Sequence, residues 1–229
     1  MDGISTEGTT LKISASGEHR STVIFLHGLG QSNSSWAQTF LRGFAPQLPH
    51  TTWLLPQASS KPVSLNKGRR RPSWFDITTL PPANDDYDEE GVTDAVCILE
   101  DIILGQVHAG IDSRNVVLAG FSQGAATCLI TGLSSLHELG GIVSLSGWIP
   151  LPAREHILLI EGNMPILWCH GELDIEVPVA YGHDAMTFLR EDLQIPEGQL
   201  QLKLYEGLEH TINDKEMGDF LRWLRETLR

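Results

Sequence analysis

Short apolar runs alternate along the chain with longer segments in which apolar positions recur every three or four residues. Val23-Ile24-Phe25-Leu26 is stopped by His27-Gly28, Thr51-Thr52-Trp53-Leu54-Leu55 by Pro56, and Val116-Val117-Leu118-Ala119 by Gly120. Residues 142–145, 166–169 and the alternating stretch Leu200–Tyr205 complete the predicted strands, the last suited to a sheet edge. Between them lie helical patterns. Ser34 or Ser35 can cap a helix carrying Trp36, Phe40 and Leu41, and residues 92–107 set Val92, Val96, Leu99, Ile103 and Val107 on one face. Residues 181–193 turn Ala185, Phe188 and Leu189 inward, and Asn213 can cap a terminal helix presenting Met217, Phe220, Leu221, Leu224 and Leu228. Nearly all-apolar strands alternating with helices predict a mostly parallel sheet covered on both faces, in one α/β domain over residues 1–229. The segment 57–88, rich in Pro, Ser, Asn and charge, shows no element of its own, and a loop of that length is expected to serve function.

Composition narrows the class. With 16 Lys+Arg against 29 Asp+Glu, the net charge of −13 argues against a nucleic-acid partner and against general adhesion to anionic membrane. No run approaches the ~18 apolar residues of a spanning helix, so no stable membrane insertion is expected. Met1-Asp2-Gly3-Ile4-Ser5 has neither a basic nor an apolar region of a secretory signal. Cys97, Cys128 and Cys169, odd in number and widely spaced in apolar surroundings, read as buried reduced thiols, which points to the cytoplasm, with the nucleus also open.

The chemistry centres on Gly120-Phe121-Ser122-Gln123-Gly124, a G-x-S-x-G pattern lying directly after a predicted strand and running into a helix start at Ala125-Ala126-Thr127. A strand-to-helix turn this tight needs small residues on both sides of the serine, and the helix N-terminus behind it offers free N–H groups to an oxyanion. A serine hydroxyl needs a base, and the base needs an orienting carboxylate. The strand at 166–169 is followed by His170-Gly171-Glu172-Leu173-Asp174-Ile175-Glu176-Val177-Pro178, where three carboxylates compete. Asp174 is preferred because it sits between two apolar residues, whereas Glu172 and Glu176 suit solvent. The last strand leads into Glu206-Gly207-Leu208-Glu209-His210, which makes His210, alone among nine histidines, the base in the right place. His27 is expected to hold the first loop by hydrogen bonds and His170 to be structural. His27-Gly28-Leu29-Gly30 follows the first strong strand, so the amides of Leu29 and Gln123 are the candidate oxyanion donors. The fragment Gly28-Leu29-Gly30 fails as a dinucleotide loop, with Asn33 in the third position and no acidic residue some 20 residues on. No other nucleotide or metal motif is present, so no cofactor and no metal are implied.

Together with these, the blocks Pro62-Val63-Ser64-Leu65-Asn66, Pro72-Ser73-Trp74-Phe75-Asp76-Ile77 and Leu145-Ser146-Gly147-Trp148-Ile149-Pro150-Leu151 resemble those of the acyl-protein thioesterases, the small carboxylesterase and lysophospholipase-like branch of the α/β-hydrolases. The resemblance runs in order over residues 23–224. It implies a single-domain α/β-hydrolase fold and a cofactor-free serine hydrolase acting on S-acylated proteins, simple acyl esters or lysophospholipids. It carries the triad onto Ser122, Asp174 and His210 and the oxyanion donors onto Leu29 and Gln123. It also implies an acyl channel walled by Leu65, Trp74, Phe75, Trp148, Ile149, Ile175 and Val177, with ordinary core packing the alternative for the aromatics Trp74, Phe75 and Trp148. An apolar channel mouth would also allow a weak homodimer.

Three departures from the family pattern are visible: Gln31 where Asp is usual, Ala125 where Gly is common, and Glu172-Leu173 where Asp with Cys or Lys is common. Lys67-Gly68-Arg69-Arg70-Arg71 is unusually basic for so acidic a chain and reads as a solvated loop or as a contact for anionic headgroups. The competing functions are a generalist carboxylesterase acting on small esters and a hydrolase-fold ligand receptor that keeps its triad.

Overall fold

The computed structural model describes residues 3–83, 87–157 and 164–228. In chain order the elements are β1 (Ile4–Glu7), β2 (Thr10–Ile13), β3 (Ser21–Leu26), α1 (Asn33–Thr39), β4 (Thr51–Leu55), β5 (Ser60–Val63), β6 (Arg69–Pro72), α2 (Glu89–His108) and β7 (Val116–Phe121). They continue with α3 (Gln123–Ser134), β8 (Gly141–Leu145), α4 (Leu151–Arg154), β9 (Ile166–Gly171), α5 (Val179–Thr187), β10 (Leu200–Tyr205) and α6 (Asp214–Thr227).

Eight strands form one sheet in the order β1-β2-β4-β3-β7-β8-β9-β10. From β4 to β10 neighbouring strands are parallel, as the mostly apolar central strands predict, and the alternating β10 lies at the edge. Alternation along each strand splits the core in two. Ile24 and Leu26 face Leu99, Ile103 and Leu129 of α2 and α3. Val23 and Phe25 face Trp36 of α1 and Phe220 and Trp223 of α6.

Five features differ from the sequence expectation. The β1–β2 hairpin was not anticipated; its strands are short, largely polar and half solvated, so they lack a buried face to betray them. Within segment 57–88, β5 and β6 pair as a two-stranded antiparallel ribbon, with Val63 opposite Arg69, and the basic run forms its exposed turn and outgoing strand. Residues 84–86 of that segment lie outside the described residues. The helix expected over 181–193 begins at Val179 and loosens into a π turn at 188–192, while α1 is entered through Ser32 rather than Ser34 or Ser35. Cys97 is on the solvent face of α2, two residues off the apolar stripe at Ala95 and Leu99, so only Cys128 and Cys169 are buried thiols.

The connectivity fixes where a ligand can bind. From β3 the chain moves outward to β4, then crosses back to β7 on the other side of β3. The loops leaving the carboxyl ends of β3 and β7 therefore diverge and leave a crevice between them. Leu29 follows β3 and Ser122 follows β7, so both border that crevice.

The sheet face under α1 and α6 is closed by aromatic rings centred on Phe40, whose centroid lies 4.7 Å from Phe25 and 4.9 Å from Trp53. Phe40→Ala should destabilise the protein by about 3–5 kcal/mol, because the fully buried ring packs against Phe25, Trp36, Phe44, Trp53 and Phe220 and its removal leaves a cavity among them. Urea unfolding checks this as a lowered midpoint at unchanged slope.

Candidate active site

The site begins with backbone strain. Ser122 adopts φ 54°, ψ −122°, a conformation that costs a non-glycine residue ~1–3 kcal/mol. The turn is held by Ser122 N–H donating to Leu145 O at 2.8 Å and Ala126 N–H to Ser122 O at 3.0 Å. A β-carbon on Gly120 would sit 2.5 Å from the Gly124 carbonyl, and one on Gly124 would sit 2.3 Å from Leu26 O. Both positions therefore require glycine for space. Ala125 is accommodated because Gly147 stands opposite it, where a β-carbon would come within 2.7 Å of the alanine methyl.

The Ser122 hydroxyl does not cap α3. It lies instead 2.8 Å from His210 Nε2, and His210 Nδ1 lies 2.7 Å from Asp174 Oδ2. The other Asp174 oxygen accepts N–H bonds from Glu176 and Val177 at 3.0 and 2.8 Å, which leaves Oδ2 aimed at the imidazole. With a carboxylate beside Nδ1, that nitrogen carries the proton and Nε2 presents its lone pair to the hydroxyl. Asp174 is buried while Leu173 and Ile175 are 56% and 81% exposed, so the apolar flank that singled out Asp174 points the opposite way from the expected one.

Two further histidines face the same end of the sheet, and hydrogen bonds fix both. His27 Nε2 accepts from the Ala58 N–H, so Nδ1–H donates to Gly28 O at 2.8 Å. His170 Nδ1 accepts from Trp168 Nε1–H, so Nε2–H donates to Val177 O at 2.7 Å. Burial lowers the pKa of each ring and favours its neutral form.

On the β3 side, Gln31 Oε1 accepts both the Gly28 N–H at 3.0 Å and Trp36 Nε1–H at 2.9 Å. A carboxamide thus makes the bonds a carboxylate would make, without its charge, and the departure at Gln31 leaves the loop intact. Gly30 N–H is taken by Pro72 O, and the Leu29 amide between donates to no acceptor among the described residues. Leu29 and Gln123 both line a cavity of about 220 Å³ that also contains Ser122 and His210.

Of the residues expected to wall an acyl channel, Trp148 lines this cavity. Trp74, Phe75, Ile149 and Val177 are core residues, Leu65 is half-buried, and Ile175 is in solvent. The Trp74 block works as a strap. Gln123 Oε1 accepts the Trp74 N–H at 3.0 Å, its Nε2 donates to Phe75 O at 2.7 Å, and Trp74 Nε1–H donates to His27 O at 2.8 Å. The strap ties both crevice loops together. Asp76 continues it by accepting from the Ser64 N–H and hydroxyl. Beside Trp148 the apolar lining comes from Leu29, Ile77, Leu80 and Phe121; Ile77 belongs to the Pro72–Ile77 family block, and Leu80, in a polar stretch, carried no sequence signal.

Glu216, on α6, was also missed. It is fully buried, neither carboxyl oxygen has a hydrogen-bond partner within ordinary distance among the described residues, and burial, with the Asp174 charge adding to it against the pull of the Asn213 backbone, pushes its pKa from 4.5 up to about 8.

The sequence model of the family described as phospholipase/carboxylesterase matches residues 10–228. The chain is 37% identical to acyl-protein thioesterase 1 of Yarrowia lipolytica over 226 residues, covering 96% of this chain and 97% of that protein. It is 32% identical to acyl-protein thioesterase 1 of Saccharomyces cerevisiae over 216 residues, covering 91% and 93%. Among solved structures, Arabidopsis thaliana SOBER1 superposes with a TM-score of 0.83 at 32% identity, over 92% of this chain and all of that one. Zea mays acyl-protein thioesterase 2 superposes at 0.78 with 26% identity, over 97% and 100%.

The buried carboxyl gives a pH test. Below about pH 4.5 Glu216 is protonated in both the folded and unfolded chain. Between there and about pH 8 only the unfolded chain releases the proton, so this group's contribution to stability falls as pH rises and levels off above. Glu216→Gln should match the parent near pH 4 and exceed its stability at pH 8 by on the order of 4 kcal/mol, read by denaturant unfolding at both pH values.

Proposed function

Because the chain belongs to the phospholipase/carboxylesterase family of α/β-hydrolases, we propose that it is a serine hydrolase cleaving acyl thioesters of S-acylated proteins, and oxygen esters by the same route. The observation that carries the reading is the 2.8 Å contact between His210 Nε2 and Ser122 Oγ on a turn that keeps the hydroxyl out of helix capping. His210 takes the Ser122 proton as Oγ attacks the acyl carbonyl, and the Leu29 and Gln123 N–H groups receive the developing negative charge. The imidazolium, oriented by Asp174, then protonates the departing sulfur or oxygen. Water, deprotonated by the same nitrogen, hydrolyses the acyl-serine and releases the fatty acid. A thiolate leaves far more readily than an amine anion, so thioesters and esters turn over and amides do not.

Leu29, Ile77, Leu80, Phe121 and Trp148 are the proposed acyl-facing groups. A cavity of about 220 Å³ lies below the ~300–1,000 Å³ of ordinary ligand pockets, which favours short chains or a long chain that runs out past Leu80, and keeps the small-ester carboxylesterase as the second reading. A cytoplasmic location is proposed on the three free thiols, and no described helix is long and apolar enough to cross a membrane.

Purified protein should release thiol from S-octanoyl-cysteine peptides and be labelled by a fluorophosphonate. Ser122→Ala should abolish labelling and lower kcat by on the order of 10⁴- to 10⁶-fold. Labelling that persists in the variant would place the nucleophile elsewhere. Comparing acetyl, octanoyl and palmitoyl thioesters separates the two substrate readings, since each enclosed methylene adds about 0.8 kcal/mol of burial.

A further inference from the structure

Among the described residues lining the cavity, Glu176 is the one carboxylate. Its Oε2 lies 4.0 Å from His210 Nε2. In the mechanism above, that nitrogen hands the proton to the departing atom. A charge beside it therefore acts on the leaving group, whereas the acyl chain meets the uncharged Leu29, Ile77, Leu80 and Trp148. The basic run at 67–71 contributes no residue to the cavity lining, so apart from His210 itself the charged side chain among the described lining residues is a carboxylate. The Glu176 side chain is half-exposed and makes no side-chain hydrogen bond among the described residues; its backbone N–H donates to Asp174 Oδ1.

We propose that Glu176 is a specificity-determining residue that selects leaving groups by charge. It favours acylated peptides with lysine or arginine next to the modified cysteine over those with acidic neighbours, and over acyl esters whose leaving group bears a phosphate. This rests on the thioesterase reading and names the substrate class within it. The effect is a screened Coulomb attraction, so it weakens as salt is added.

The test uses the full-length protein and three S-octanoyl-cysteine peptides that differ in having Lys, Gln or Glu on either side of the cysteine. In the parent, kcat/KM should favour the Lys peptide over the Glu peptide by on the order of 3- to 10-fold at low ionic strength, shrinking in high salt. Glu176→Gln should bring that ratio close to one and Glu176→Lys should invert it. Glu176→Gln removes one negative charge from a net −13, so a preference arising from the whole-protein field would survive in it. A ratio unchanged by either substitution, or a parent that prefers the Glu peptide, overturns the proposal. Failure of the parent to turn over even the Gln peptide would instead overturn the hydrolase reading on which it rests.

Discussion

Everything at the carboxyl end of this sheet depends on how tightly the chain turns between β7 and α3. Ser122 is held at positive φ with a hydroxyl that does not cap the helix it begins, and the backbone strain is offset by its surroundings. The Ser122 amide bonds to the end of β8, its carbonyl starts the α3 ladder, and the Gln123 side chain anchors the strap over the crevice. Two glycines are needed because the turn packs helix backbone directly onto strand backbone, with Gly124 pressed against the last carbonyls of β3. The β3 loop and the nucleophile turn are thereby locked in register, and Leu29 and Gln123 come to border one cavity.

What could be read from the sequence follows from how each part is stabilised. The central parallel strands β3, β4, β7, β8 and β9 were legible because both faces are buried, which leaves short, mostly apolar runs, and the edge strand β10 was legible by its alternation. The hairpin strands β1, β2, β5 and β6 were not, since they are held by backbone pairing and exposed polar side chains that look like loop. The order of Ser122, Asp174 and His210 was legible because each follows a strand of the parallel set. The walls of the cleft were poorly legible. Trp74 and Phe75 look like a ligand surface in sequence, yet they serve as ties whose backbone atoms matter as much as their rings. Glu216 could not have been foreseen from its helical spacing, because a carboxyl on an inward-facing position is the pattern that burial rules exclude.

Three histidines at one sheet edge show how environment separates roles for one side chain. His27 and His170 have both ring nitrogens engaged by groups whose own donor or acceptor character fixes the tautomer. Neither can take up a proton without losing an accepted hydrogen bond, and burial opposes the charge as well. His210 differs in kind. Asp174 Oδ2 lies 3.6 Å from His170 Nε2, whose hydrogen goes to Val177 O, but it is hydrogen-bonded to His210 Nδ1 at 2.7 Å, and the other His210 nitrogen faces a hydroxyl, which can give up its hydrogen.

The loop after β9 carries this division further within a few residues. Asp174 Oδ1 accepts the N–H groups of the residues two and three positions ahead, so the backbone curls around the carboxylate. Asp174 and Val177 are turned inward by that curl, and Leu173, Ile175 and Glu176 are turned out. The exposed Leu173 and Ile175 are thus a geometric consequence of burying the acid that orients His210. The same curl sets Glu176 at the cavity rim, 4.0 Å from the other nitrogen of that ring. One local hydrogen-bonded turn therefore supplies both a buried carboxylate behind the imidazole and a solvated one in front of it.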